Sequence, residues 1–169
     1  MTSNPQKRRA GHQTRQKVIV VIDDDTGLRE MLCDALSDTG ALIKQAGTAE
    51  SGISVSEMFV VDLILVDVFM PGKGGIWVID KLRDRHPNAV IISMSGGWNG
   101  MAPERAVKAA RMSGAHFGFA KPFDLWDVHN LVCRVMDDDD DVFKSLDLAS
   151  VNTLGALDRV NRQSTNNTT

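Results

Sequence analysis

The chain has no tyrosine, two cysteines and only four glutamates. Two thiols cannot build a disulfide framework, and Cys33 and Cys133 both sit in apolar, helix-patterned stretches, so a reducing compartment is expected. No apolar run approaches the 18 or so residues of a membrane span, and the basic N-terminus has no apolar stretch behind it. A cytoplasmic protein without a membrane span or secretory signal is the expectation. The four histidines, His12, His86, His116 and His129, share no metal-like spacing, which argues against a zinc centre.

Hydrophobic residues are plentiful, at 43% of 169 residues, enough for one core without a disulfide or metal staple. The net charge is only -3, yet 18 of the 22 acids are Asp. Helical surfaces usually favour Glu, whereas Asp favours turns, caps and hard-metal sites. Residues 1–17 carry Lys7, Arg8, Arg9, Arg15 and Lys17 and no acid, and read as a disordered basic arm. With no aromatic among the bases, a solvated tail is a better reading than a nucleic-acid contact.

Regularity begins at Val18. Val18-Ile19-Val20-Val21-Ile22 is a β-branched run suited to a strand buried on both faces, and Asp23-Asp24-Asp25-Thr26 ends it. Leu28, Met31, Leu32, Ala35 and Leu36 then follow a helical period closed by Gly40. A short strand is expected at Leu42-Ile43 and a weaker helix from Thr48 to about Glu57. Leu63-Ile64-Leu65-Val66 predicts a third strand ending at Asp67, followed by a Pro/Gly turn and a helix through Trp77, Val78, Ile79 and Leu82. The fourth strand is Ala89 to Ser95, the fourth helix starts near Pro103, the fifth strand is His116 to Ala120, and the fifth helix Leu125 to about Met136. Alternation of this kind predicts an α/β, doubly wound, five-stranded parallel sheet flanked by five helices over 18–136. Residues 137–169 open with five consecutive Asp, Asp137 to Asp141, which end the last helix. They continue as a tail in which Phe143, Leu146, Leu154 and Leu157 allow one short helix. That tail is too short for a DNA-binding domain of typical size.

In such sheets, function collects at the carboxyl ends of the strands, where the sequence places Asp23, Asp24, Asp67, Ser95 and Lys121. A carboxylate trio raises its members' pKa values unless a cation joins them, and an oxygen-only ligand set suits Mg²⁺. A lysine and a hydroxyl would complement a tetrahedral oxyanion, so the set points to phosphoryl transfer onto a carboxylate. A helix cap would explain any one of these Asp residues. It does not explain the joint pattern.

Four segments carry a resemblance: Val20-Val21-Ile22-Asp23-Asp24-Asp25, Leu63-Ile64-Leu65-Val66-Asp67-Val68-Phe69-Met70-Pro71 with Gly75, Ile91-Ile92-Ser93-Met94-Ser95-Gly96, and Ala120-Lys121-Pro122-Phe123. In order and at strand ends, they resemble the receiver domain of bacterial two-component response regulators, which has a flavodoxin-like fold. The resemblance implies Asp67 as phosphoacceptor for a phosphohistidine on a histidine kinase or phosphotransfer protein. It implies Mg²⁺ held by Asp24 directly, Asp23 through water, Asp67 and the Phe69 carbonyl. Ser95 and Lys121 would contact the phosphoryl group, and the Lys121-Pro122 bond would be cis. Implied too is a single-domain regulator that switches protein–protein contacts or shuttles phosphate through its helix 4–strand 5–helix 5 face, without turning over a free metabolite.

The sequence departs from the family pattern in two places. Where many receivers carry an aromatic switch residue, three positions before the lysine, this chain has Gly118. Ser95 and Lys121 are 26 positions apart, a longer spacing than usual, with the extra residues in the Gly96–Ala102 loop. Closure of that loop is therefore expected to replace the aromatic switch. Phe69 and Gly97, at the positions that place attacking water in the family, predict slow hydrolysis of an acylphosphate. Trp77 reads as core edge, and Trp98 as a loop anchor or partner contact. Two other functions compete. A haloacid-dehalogenase-like phosphatase would need Thr where Gly27 stands and would leave Asp67 without a role. An interaction module would work through the two tails, with the basic arm meeting nucleic acid or an acidic partner.

Overall fold

A computed structural model of the chain describes residues 15–137, except 74, 98 and 99. The basic arm through residue 14, Trp98 and the chain after Asp137 lie outside the described residues. The apolar run at the start of the domain forms β1 (Val18–Ile22), buried at every position. It pairs in parallel on both sides, with Val18 opposite Leu42 of β2 (Leu42–Ala46) and Ile19 opposite Leu63 of β3 (Leu63–Asp67). With β4 (Val90–Ser95) and β5 (Phe117–Ala120) the sheet order is β2-β1-β3-β4-β5. The reversal of strand order beside β1 opens a crevice at the carboxyl ends of β1 and β3.

Period-two alternation divides the core into two layers. Ile19, Val21, Leu65 and Phe119 face Leu32 of α1 (Thr26–Ala35) and Val128 and Val132 of α5 (Leu125–Met136). Val20, Ile22, Ile64 and Ile91 face the layer containing α2 (Ala49–Ser56), α3 (Gly75–Arg85) and α4 (Pro103–Met112). Each fully buried Leu or Ile contributes roughly 1.5–3 kcal/mol.

Two elements differ from their sequence signals. β2 runs five residues rather than two, because an edge strand tolerates polar residues: half-buried Lys44, its ammonium over the Phe59 ring, and exposed Gln45 break the apolar run. The first α-helix stops at Ala35, and a 3₁₀ turn at Ser37–Thr39 carries the chain to Gly40, whose φ of 70° closes the segment. Gly52, a poor helix former, has a packing reason. A Cβ there would lie 2.5 Å from Ile22 Cδ1, so the glycine lets α2 lie directly on β1.

Several Asp residues have structural posts. Asp25 caps α1 by accepting from Leu28 N at 3.1 Å, and Asp124 caps α5 by accepting from Trp126 N at 2.9 Å. Asp62 takes a two-pronged contact from Arg15, 2.7 Å on each oxygen, and accepts from Val18 N at 2.7 Å, fixing the entry to β1. The histidines hold structure too. His86 Nε2 is 3.0 Å from the buried Ser56 hydroxyl, His116 Nδ1 accepts from Ile91 N at 3.0 Å, and His129 faces Asp38 at 2.9 Å. Trp77 is half-buried at the core edge, with Lys73 over its ring at 4.6 Å.

Candidate functional site

The abrupt ends of β1 and β3 bring three carboxylates together. Asp23 follows β1 directly, and Asp67 is the last residue of β3. Both are buried, whereas Asp24 is exposed, and one carboxylate oxygen from each lies within 4.8 Å of the others. All the donors are oxygens and one side is open to solvent. That combination fits a hard divalent cation that keeps part of its water shell.

Each buried carboxylate is held from two directions. Asp23 Oδ1 accepts from Asp25 N at 3.0 Å and Oδ2 from Lys121 Nζ at 2.7 Å. Asp67 Oδ1 accepts from Phe69 N at 3.1 Å and Oδ2 from Lys121 Nζ at 3.1 Å. One ammonium thus bridges two acids. Burial pushes the Asp67 carboxyl above its ordinary value, only partly countered by Lys121 and the Phe69 N–H, with the charge of Asp23 adding to the rise. Burial disfavours the Lys121 ammonium as well. Its hydrogen bonds to both acids and their charges outweigh that and hold its pKa above the usual lysine value.

The edge side of the site comes from β4 and β5. Ser95 is buried at the end of β4 and its hydroxyl accepts from Gly97 N at 3.2 Å. Lys121 N donates to Ser95 O at 2.6 Å, so the two residues are tied through the backbone. The Lys121–Pro122 peptide bond is cis, as the resemblance implied. Asp23, Asp24, Asp67 and Lys121 converge at the crevice, with Ser95 joined to Lys121 and Phe69 to Asp67.

Arg29 is a participant that sequence reasoning passed over. Its Nη1 donates to the Asp23 carbonyl at 2.6 Å and its Nη2 to Thr26 Oγ1 at 2.9 Å, pinning the turn that carries the acids. Its guanidinium lies over Gly47, where a Cβ would be 3.4 Å from Nη1. The only sequence signal was an Arg one turn into an amphipathic helix, the usual place for a solvated charge. Beside the site, Leu28, Met31, Pro122, Phe123 and Leu125 line an open, largely apolar groove of about 360 Å³ between α1 and the start of α5.

Gly118 is buried on β5, and a Cβ there would lie 2.4 Å from Val107 Cγ1 and 2.6 Å from Ser93 Oγ. The space that an aromatic side chain would need is filled by Val107 of α4 and Ser93 of β4. The following loop is close-folded: Gly97 has φ 78°, and a Cβ on it would be 2.4 Å from the Met101 carbonyl.

Together these features define a doubly wound domain that sets a carboxylate cluster and an ammonium side by side at its strand ends. Residues 19–133 match the response regulator receiver domain family. Over 116 residues the chain is 31% identical to the response regulator protein FleR of Pseudomonas aeruginosa, aligning 69% of this chain with 24% of that one. Over 119 residues it is 34% identical to the DNA-binding transcriptional regulator NtrC of Azospirillum brasilense, aligning 70% of this chain with 24% of the relative. The chain thus spans about a quarter of the length of these two relatives. Among solved structures, a CheY-like receiver domain protein from Methanospirillum hungatei superposes with a TM-score of 0.65 at 23% identity, covering 73% of this chain and 95% of that one. The BeF3-activated DrrB receiver domain gives 0.63 at 19%, covering 72% and 98%. The chain belongs to the response regulator receiver domain family. No helix among the described residues is long and apolar enough to cross a membrane.

Proposed function

We propose that this chain accepts a phosphoryl group on Asp67 from the phosphohistidine of a histidine kinase or phosphotransfer protein, and that the acylphosphate changes which proteins it contacts. The observation that carries this reading is the position of Asp67. It is a buried strand-end carboxylate held at 3.1 Å by Lys121 and in reach of Asp23 and Asp24. A donor's phosphorus approaches from the open side, where Asp24 is exposed and the apolar groove begins. An Asp67 oxygen attacks as the donor's P–N bond breaks. Lys121 then exchanges a carboxylate contact for one with a phosphoryl oxygen, and Ser95 offers its hydroxyl to another. Mg²⁺, bound by Asp23, Asp24, Asp67 and the Phe69 carbonyl, would supply the positive charge that offsets the phosphoryl oxygens.

The chain acts here on itself alone and turns over no free metabolite. With Gly118 covered by Val107, the signal travels through the Gly96–Ala102 loop into α4, and the α4–β5–α5 face is the output surface. Neither Phe69 nor Gly97 has a side chain that can orient water, so the acylphosphate is long-lived.

Incubation with a small phosphodonor and Mg²⁺ tests the reading. Wild type should gain one aspartyl phosphate and Asp67→Asn none. A wild type that stays unmodified defeats it. A phosphorylated half-life of only seconds would contradict the long-lived form.

A further inference from the structure

We infer that Asp38, His129 and Cys133 form a binding site for a zinc-type divalent cation, apart from the acids at the strand ends. His129 and Cys133 lie four residues apart on α5, so both side chains stand on one face of the helix. The Cys133 sulfur is 3.6 Å from His129 Nε2. Bonds of about 2.3 Å to sulfur and about 2.0–2.1 Å to nitrogen hold two such donors roughly 3.5 Å apart in a tetrahedral zinc site. This pair already stands at that separation. Asp38, on the 3₁₀ turn after α1, brings a carboxylate oxygen to 2.9 Å from the same nitrogen. Spacing among the histidines gives no metal centre, because the further donors are a thiol and a carboxylate from another element.

An ordinary ion pair accounts for Asp38 and His129 alone. It does not account for the thiol turned to the same imidazole, or for a second acid beside it. The charges acting on the half-buried Cys133 thiol come from Asp38 and from Asp137, one turn further along α5 at its cap. Two acids beside one thiol favour a cation there. At Cys33, by contrast, the charge of Asp34 is opposed by that of Arg29. Nitrogen, sulfur and oxygen donors together select a borderline cation such as Zn²⁺, whereas the all-oxygen set of Asp23, Asp24 and Asp67 suits Mg²⁺. Asp38 and Cys133 are not within 4.8 Å of each other. Asp38, whose side chain is 71% exposed, closes that edge by turning about its own side-chain bonds. Binding passes the Cys133 thiol proton to water and leaves one position for a water ligand. The inference does not depend on phosphoryl acceptance. Its consequence is a clamp that fastens the 3₁₀ turn to α5.

Titration of the reduced full chain with Co²⁺ in excess Mg²⁺ tests this, because Mg²⁺ takes the strand-end oxygens and does not compete for sulfur. We expect a near-ultraviolet thiolate-to-cobalt charge-transfer band that saturates with one ion per chain and is displaced by Zn²⁺. His129→Ala and Cys133→Ser should each abolish the band, and Cys33→Ser should leave it. Asp38→Asn should weaken Co²⁺ binding by about tenfold, as loss of an oriented carboxylate does at a metal site. Its position is exposed, so this variant keeps the test decisive if either α5 variant folds poorly. Zn²⁺ should also raise the melting temperature of the wild type and not that of Cys133→Ser. A wild type without the band overturns the inference. So does a band that survives Cys133→Ser, a band lost with Cys33→Ser, or an affinity unchanged by Asp38→Asn.

Discussion

Lys121 bridges two acids, and removing it should show what that bridge contributes. Its ammonium lies 2.7 Å from Asp23 and 3.1 Å from Asp67. Lys121→Met leaves two neighbouring buried carboxylates without a cation, which is expected to cost about 3 kcal/mol in Mg²⁺-free buffer. Saturating Mg²⁺ should recover most of that loss. Thermal unfolding with and without Mg²⁺ reads it, and equal losses in both buffers would show that the ammonium does not share its post with a cation. Asp67→Asn has the opposite sign. The Asp67 carboxyl sits above its ordinary pKa because of burial, so its charge opposes folding at neutral pH. The Asn variant should therefore unfold at a higher temperature without Mg²⁺, while accepting no phosphoryl group. A lower melting temperature would refute this. Asp67, Ser95 and Lys121 were legible in sequence because each ends or follows an apolar strand signal. Arg29 was not, since its contact with the Asp23 carbonyl depends on how far α1 leans over the turn.

At the scale of elements, the contact between α4 and β5 governs. Gly118→Ala puts a methyl 2.4 Å from Val107 and 2.6 Å from Ser93 Oγ. It should destabilise the fold by about 1–3 kcal/mol, seen as a lower urea midpoint. A neutral substitution would mean that α4 sits loosely on the edge strand. Buried strands such as β1 and β3 announce themselves as unbroken β-branched runs, so their order along the chain was readable. β2 was half hidden because edge position lets polar residues interrupt it, and the Gly118–Val107 contact was hidden altogether. That contact depends on the height of α4 above the sheet, a quantity that 3.6-residue periodicity does not encode.

For the whole molecule, acid should weaken the fold through its histidines. Burial lowers the pKa of His86, with opposing effects from Glu57 and Arg85, and burial followed by the charge of Arg83 lowers that of His116. A histidine whose folded pKa lies below its unfolded value of about 6.5 gives its full stabilisation above that pH. It loses it as pH falls from there toward the folded value. His116 also uses Nδ1 as an acceptor for Ile91 N–H, which protonation would abolish. Asp67 works in the other direction, its raised pKa adding stability as pH falls, so the comparison belongs in the Asp67→Asn background. There, urea midpoints should fall between pH 7.5 and 5.5, and His116→Gln should flatten the slope. A midpoint unchanged over that range would rule the histidines out.

The close seating of Val107 on Gly118 also limits what position 118 can become. A chain packed this way cannot acquire a bulky ring at position 118 in one step, because the ring would have to enter a place already filled by a valine methyl and a serine hydroxyl. Trimming at 107 must come first, and that intermediate would carry a cavity and its penalty. Room for a ring at 118 and the present seating of α4 are thus mutually exclusive packings, and passing from one to the other takes at least two coupled substitutions.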